Sequence, residues 1–272
     1  MPATPSSVTT NNSQAPLLRH NNAGIATLTL NRPQQYNALS EEMLMALQQT
    51  LDAIAADNSI RVVVLGAVGK AFCAGHDLKQ MRANPDKSYH QELFRQCSRM
   101  MMSIVQLPQP VIASVQGMAV AAGCQLVANC DLAIASDDAQ FAVSGINLGL
   151  FCSTPSVPLS RNVSRKRALE MLLTGGFIDA HTAQEYGLIN HNVQPDKLAD
   201  AVHDLARRIA SKPAEPVRLG KQLFYRQLDH TLEGAYEIAG EIMACNMMLN
   251  DTTEGIDAFI EKREPIWKKP DR

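Results

Sequence analysis

Along the first two thirds of the chain, short apolar runs alternate with longer amphipathic stretches. Residues 25–30 alternate β-branched and apolar side chains and predict a strand, which Asn31-Arg32-Pro33 breaks into a turn. Ser40 followed by Glu41 and Glu42 marks a helix start, with acids set against the N-terminal dipole. Leu44, Leu47, Leu51 and Ile54 then recur at spacings of three and four, the stripe of a helix with one buried face. Arg61-Val62-Val63-Val64-Leu65 is almost wholly apolar, as in a strand covered on both faces. A loop is expected over residues 66–77, followed by a helix carrying Leu93, Cys97, Met100, Met101, Ile104 and Val105 and ended by Pro108 and Pro110. Residues 111–115 predict another buried strand, 117–123 a turn of small residues, 126–129 a short helix and 132–135 a further strand.

Repeated strand–helix alternation of this kind implies α/β layering with parallel crossovers. From about Arg165 onward the periodicity becomes helical, over residues 168–173, 195–210, 216–228 and 233–248. A helical C-terminal region packed on an α/β core is therefore expected. Met243, Met247 and Met248 fit a core or subunit contact better than a cofactor site.

Composition narrows the function more than the fold. Of 272 residues, 46% are apolar and 19% charged, and the formal charge of −2 gives no electrostatic case for nucleic acid or an anionic membrane surface. The cluster Arg161, Arg165, Lys166 and Arg167 reads as a solvated helix face. Cysteines at 73, 97, 124, 130, 152 and 245 form no Cys-x-x-Cys pair, which suits reduced thiols in an intracellular protein. The histidines show no metal-ligand spacing, so no metal is expected. No apolar run reaches the length of a membrane span. Residues 1–16 are rich in Ser, Thr, Asn and Pro and lack an apolar h-region, which predicts a disordered tail rather than a secretory signal. Cytoplasm is the expected location, with the mitochondrial matrix second.

Two small-residue turns carry the candidate chemistry. Residues 71–79 follow the Val62–Leu65 run, and residues 117–125 lie between the 111–115 strand and a helix. Each puts backbone N–H groups at the carboxyl end of a buried strand, where α/β sheets bind ligands. The helix start adds partial positive charge, and small side chains let a ligand reach the main chain. Two such turns converging on one carbonyl oxygen can hold the negative charge that enolate formation places there. Competing motifs are missing: there is no P-loop, no Gly-x-Ser-x-Gly elbow and no Gly-x-Gly-x-x-Gly after a strand.

The segments "AFCAGHDLKQM" and "PVIASVQGMAVAAGCQLVANCDLAIAS" resemble the paired signature segments of the crotonase (enoyl-CoA hydratase/isomerase) superfamily. "LNRPQQYNALS", "LLTGGFIDAHTAQEYGLIN" and "EGIDAFIEKREP" extend the resemblance over nearly the whole chain. It implies an α/β fold: a spiral of ββα units over residues 17–200, then a helical trimerisation region over 201–272, assembled as a homotrimer or a dimer of trimers. It also implies an acyl-CoA thioester as ligand, with CoA entering as part of the substrate and no separate cofactor. The N–H groups of His76 and Ala122 become the oxyanion hole, although Ala122 stands where the family usually has glycine. Ala74, His76, Asp77, Leu78 and Lys79 would line the CoA channel, and Lys262 would contact a CoA phosphate.

One departure affects the reaction. The positions that carry the two hydratase glutamates hold Gln125 and Gly145, and the position of an alternative aspartate holds Ser153. Gln125 can position a water but cannot exchange a proton near neutral pH. Each lost acid–base group is worth roughly 10²–10⁴ in rate, so efficient hydration is not expected. Restoring Gln125→Glu together with Gly145→Glu is expected to raise it. Candidate substitutes are the His76 imidazole titrating near neutral pH, a Cys152 thiolate, and a water held by Ser144, Asn147 or Ser153. Asp77 is expected to cap or brace its loop. Three readings stay open: an acyl-CoA enzyme of the hydratase/isomerase type, a non-catalytic acyl-CoA-binding homologue, and a CoA thioester hydrolase.

Overall fold

The computed structural model describes residues 14–267. The tail expected over 1–16 therefore falls outside the described residues except for its last three. Of these, the Ala15 and Pro16 carbonyls accept from the Asn31 side chain (2.9 Å) and amide (2.7 Å). Strands β1 (Leu17–Asn22) and β2 (Ile25–Leu30) form an antiparallel hairpin. Its two-residue turn, Ala23-Gly24, has φ of 47° and 79°, the mirror-image turn that matches strand twist. Helix α1 (Glu41–Ala55) starts where the acids predicted, with the Ser40 hydroxyl accepting from the Met43 amide at 3.2 Å.

Each following unit lays down two strands and then helix. These are β3 (Val62–Ala67), β4 (Ala71–Cys73), α2 (Leu78–Ala83) and α3 (Lys87–Gln106); β5 (Val111–Val115), β6 (Met118–Val120) and α4 (Ala122–Asn129); and β7 (Leu132–Ser136), β8 (Gln140–Ala142), α5 (Ser153–Asn162) and α6 (Arg165–Thr174). The chain closes with β9 (Ile178–Asp179), α7 (Ala180–Tyr186), β10 (His191–Val193), α8 (Leu198–Ala210), α9 (Ala214–Gln227), α10 (Leu232–Met247) and α11 (Asn250–Glu261). Five strands of five or six residues and the short edge strand β10 form one sheet in the order β1-β2-β3-β5-β7-β10, parallel beyond β2. The others form a second sheet, β4-β6-β8-β9. The chain therefore spirals between two sheets, as the family resemblance implied.

β3 shows why its run is apolar throughout. Val63 and Leu65 face the main core with Phe72, Phe141 and Met100, whereas Val62 and Val64 face Leu198, Val202 and Ala206 of α8. The boundary expected near residue 200 thus falls inside a helix that covers the large sheet, and the core runs through α8.

Beyond α8 the chain buries little of itself. The buried residues are Lys221 in α9, none in α10 and Ala258 in α11, while Phe224, Leu232, Tyr236, Met243, Met247 and Phe259 are exposed. Lys221 is the anchor. Its ammonium lies 2.7 Å from Asp131 Oδ2 and donates to the Ile104 and Gln109 carbonyls, both at 3.0 Å. Asp131 also accepts from the Tyr225 hydroxyl (2.8 Å) and the Val111 amide (2.7 Å). Burial lowers the Lys221 pKa from its ordinary value, and Asp131 opposes that shift. Among the described residues no helix is long and apolar enough to cross a membrane. Removing one partner of a buried pair leaves the other charge uncompensated, so Lys221→Met is expected to cost about 3 kcal/mol in urea unfolding.

Candidate active site

The site is built where β4 and β6 end, and main chain presses on main chain there. A Cβ placed on Gly117 would lie 2.2 Å from the Lys70 carbonyl oxygen, and one on Gly123 only 2.0 Å from that of Cys73. Both positions need glycine for close approach. A Cβ on Gly75, whose φ is +91°, would come within 3.2 Å of the Ala122 amide nitrogen. The turn holding His76 and the first turn of α4 are therefore in direct contact. The Ala122 amide is at the first position of α4, where no intrahelical acceptor exists. Neither it nor the His76 amide donates to an acceptor among the described residues.

The first turn is braced from below. The Leu39 amide donates to the Gly75 carbonyl (2.8 Å), and the Ala74 amide donates to Tyr36 O (3.0 Å). Buried Asn37 donates to the Val68 and Ala71 carbonyls, both at 2.8 Å, and its Oδ1 accepts from the Arg32 amide at 2.8 Å. The Gln116 side chain adds bonds to Gly69 O (3.1 Å) and Ala71 O (3.0 Å). Asp77 caps α2 by accepting from the Lys79 (3.0 Å) and Gln80 (3.1 Å) amides, the bracing role expected of it. Asn37 and Gln116 escaped the sequence reading, although the "YNALS" segment contains the first of them.

At position 122 the backbone accommodates alanine, and the strain lies one residue earlier. Ala122 is helical, so its backbone tolerates a side chain. Ala121, by contrast, holds φ +50° and ψ −115°, a region that glycine favours. Ala121→Gly should relieve that strain and raise unfolding stability by about 1 kcal/mol, as read by denaturant titration.

His76 does not titrate near neutral pH as expected. Its ring lies edge-on to Phe94 of α3 (5.4 Å, 89°), and burial pushes its pKa from 6.5 down to about 4. The imidazole is thus neutral at pH 7. Nor is Cys152 a poised nucleophile, because burial raises its pKa and outweighs the Gly145 amide that donates to its sulfur at 3.3 Å. Cys124, which interacts electrostatically with Cys152, is pushed up to about 12.

That sulfur also decides what position 145 can hold. A Cβ on Gly145 would lie 2.5 Å from the Leu150 carbonyl oxygen and 2.7 Å from Cys152 Sγ. The expected gain from Gly145→Glu is therefore corrected: the loop has no room for that side chain as it stands. Gln125 is buried one helical turn after Ala122, and its Oε1 has no hydrogen-bond partner among the described residues. Asn147 is engaged with Gly175 O (3.3 Å) and the Ser153 hydroxyl with Phe151 O (3.4 Å), while Ser144 opens the 3-10 turn Ser144–Leu148 that contains Gly145. Leu78 and Lys79 line an open cleft of about 980 Å³ together with Met81, Arg82, Ala83 and His90. Lys262 lies apart from these turns in sequence, exposed in the left-handed cap of α11.

A two-sheet spiral of this kind is the framework of the crotonase superfamily. Within it, the chain belongs to the enoyl-CoA hydratase/isomerase family, whose model matches residues 20–270. The human protein named enoyl-CoA hydratase domain-containing protein 3, mitochondrial, is 47% identical over 244 residues, 90% of this chain and 80% of that one. The 1,2-epoxyphenylacetyl-CoA isomerase of Escherichia coli is 33% identical over 256 residues, 92% of this chain and 97% of its own. A crystal structure of an enoyl-CoA hydratase from Mycobacterium smegmatis superposes with a TM-score of 0.92 at 56% identity, covering 93% of this chain and 98% of the other.

The buried imidazole makes stability depend on pH. Because the folded chain holds the His76 proton less tightly than the unfolded chain, its contribution is complete above pH 6.5 and lost as pH falls toward about 4. At about 1.4 kcal/mol per pKa unit, the loss is about 3 kcal/mol. Urea titrations across this range should show that slope, and His76→Gln should flatten it.

Proposed function

We propose that the protein binds an acyl-CoA thioester and polarises its carbonyl between the His76 and Ala122 amides, without efficient hydration. The observation that carries this reading is the pair of unengaged amides on turns whose backbones touch at Gly75 and Ala122. Donors preorganised in this way stabilise a developing enolate, each contributing about 3 kcal/mol. Lys79 and Arg82 give the adjoining cleft the charge to meet CoA phosphates. What the site lacks is a proton carrier. Gln125 can hold a water or a substrate oxygen but not take its proton, position 145 has no side chain, and the His76 ring is a weak base. Neither Cys152 nor an engaged serine favours the hydrolase reading.

Self-association as a trimer or hexamer is supported by α10, which exposes Leu232, Tyr236, Met243 and Met247 and buries nothing on its own chain. The vertebrate relatives are named mitochondrial, which favours the matrix over the cytoplasm expected from sequence.

The test uses a chromophoric thioester such as cinnamoyl-CoA, whose absorbance moves to longer wavelength when its carbonyl is polarised. Binding with a red shift is expected. Incorporating the α-hydroxy analogue of alanine at position 122 replaces the amide by an ester and removes the hydrogen without adding atoms that the Ala121 backbone would not admit. It should abolish the shift and weaken binding about tenfold, with thermal melting used to check the fold. Binding without any shift would overturn the oxyanion-hole assignment.

A further inference from the structure

The hydrophobic core ends at α8, and the chain beyond it is attached in a different way. Leu198, Val202 and Ala206 of α8 are buried against the large sheet, whereas residues 214–267 bury only Lys221 and Ala258. A helical segment that buries so little apolar surface is held weakly by the hydrophobic effect. Polar ties carry the attachment instead. Lys221 donates to the carbonyls of Ile104, in the last turn of α3, and of Gln109, in the loop before β5, and it pairs with Asp131 just after α4. Tyr225, one turn further along α9, donates to the other oxygen of the same carboxylate. At the far end, Asp251 in the first turn of α11 attracts Arg61, which precedes β3.

Within itself the same segment is well tied. The Glu254 carboxylate accepts from the Arg263 guanidinium at 2.6 and 3.0 Å and from the Ile266 amide at 2.7 Å, which folds the following chain back along α11. There the Trp267 ring lies against Gly255, where an added Cβ would come 3.2 Å from it. The Thr252 hydroxyl donates to the Asn246 carbonyl at 2.7 Å and closes the corner between α10 and α11. Thr231 caps α10 by accepting from the Gly234 amide at 3.3 Å, and α9 and α10 pack on each other.

Burial and bonding therefore divide the chain at the same place, between α8 and α9. Partial opening of a protein follows such divisions: a unit leaves when the few groups joining it to the rest let go, while its own bonds persist. A buried ion pair makes an abrupt joint, because either charge without the other is left uncompensated.

We infer that residues 214–267 form a detachable arm, latched to the core by Lys221 and Tyr225 on Asp131. It leaves as a unit while both sheets and the two turns of the site stay folded. The exposed apolar side chains of α10, Leu232, Tyr236, Met243 and Met247, ride on this arm. The surface offered to another copy and the pair of turns are thus mounted on separate units, and opening the latch moves the first without dismantling the second.

Hydrogen exchange of the full chain, followed by mass spectrometry under native conditions, tests the latch. Lys221→Met should speed exchange across α9, α10 and α11 about a hundredfold, and Tyr225→Phe about tenfold. In both variants β3, β5 and α4 should stay within about twofold of the parent chain. The stability cost given above for Lys221→Met then falls on the arm. Acceleration spread equally over the arm and the sheets would overturn the inference. So would unchanged exchange in both variants, or loss of the whole fold in both.

Discussion

The first turn of α4 sits directly on the carbonyl of Cys73, and this contact between two stretches of main chain sets the position of everything at the site. Gly123 permits it, since any side chain there would occupy the space of that oxygen. Gly117 permits the same approach against Lys70, and Gly75 permits it from the other side against Ala122. Because the contacts are between backbones, the two amides are placed by the sheets themselves rather than by side-chain rotamers. Asn37 and Gln116 then hold the underside of the first turn, satisfying the carbonyls of Val68 and of Ala71, the first residue of β4.

The long elements were legible because their burial is periodic. β2 and β5 have the boundaries their apolar runs indicated, and α1 begins where Ser40 and its acids put it. The second sheet was not legible. β4, β6 and β8 have three residues each, too few for alternation to register, and β6 lies inside what reads as a turn of small residues. The two touching turns were legible because glycine and alanine spacing reports where backbone must approach backbone, whereas the choice of the His76 and Ala122 amides rests on the family resemblance. Side-chain chemistry was read less well. Local sequence shows neither that Phe94 would desolvate His76 nor that Cys152 Sγ would fill the space beside Gly145. Both contacts join segments distant or reversed in the chain, and a pKa depends on such neighbours more than on the residue itself.

The arrangement separates two tasks that hydratases combine. Stabilising charge on an oxygen needs only fixed dipoles, which is the part proposed here for the two turns. Moving protons needs groups whose pKa lies near the working pH. Here the nearby candidates are shifted away from it, His76 downward and Cys124 and Cys152 upward, all mainly by burial. The same dryness that strengthens the dipoles weakens any acid–base partner among these residues. Reactions that need no protein-borne proton shuttle are the ones such a site serves best.

The sulfur of Cys152 also sets an order on any route between this site and one with a carboxylate pair. The loop from Ser144 to Ser153 is closed around Gly145 by a carbonyl and a thiol, both within van der Waals overlap of a first side-chain carbon. A glutamate arriving at 145 would meet that closure before it met a substrate. The segment at 150 and 152 must loosen first, and because Cys152 also interacts with Cys124 in the first turn of α4, that loosening reaches the helix that carries the Ala122 amide.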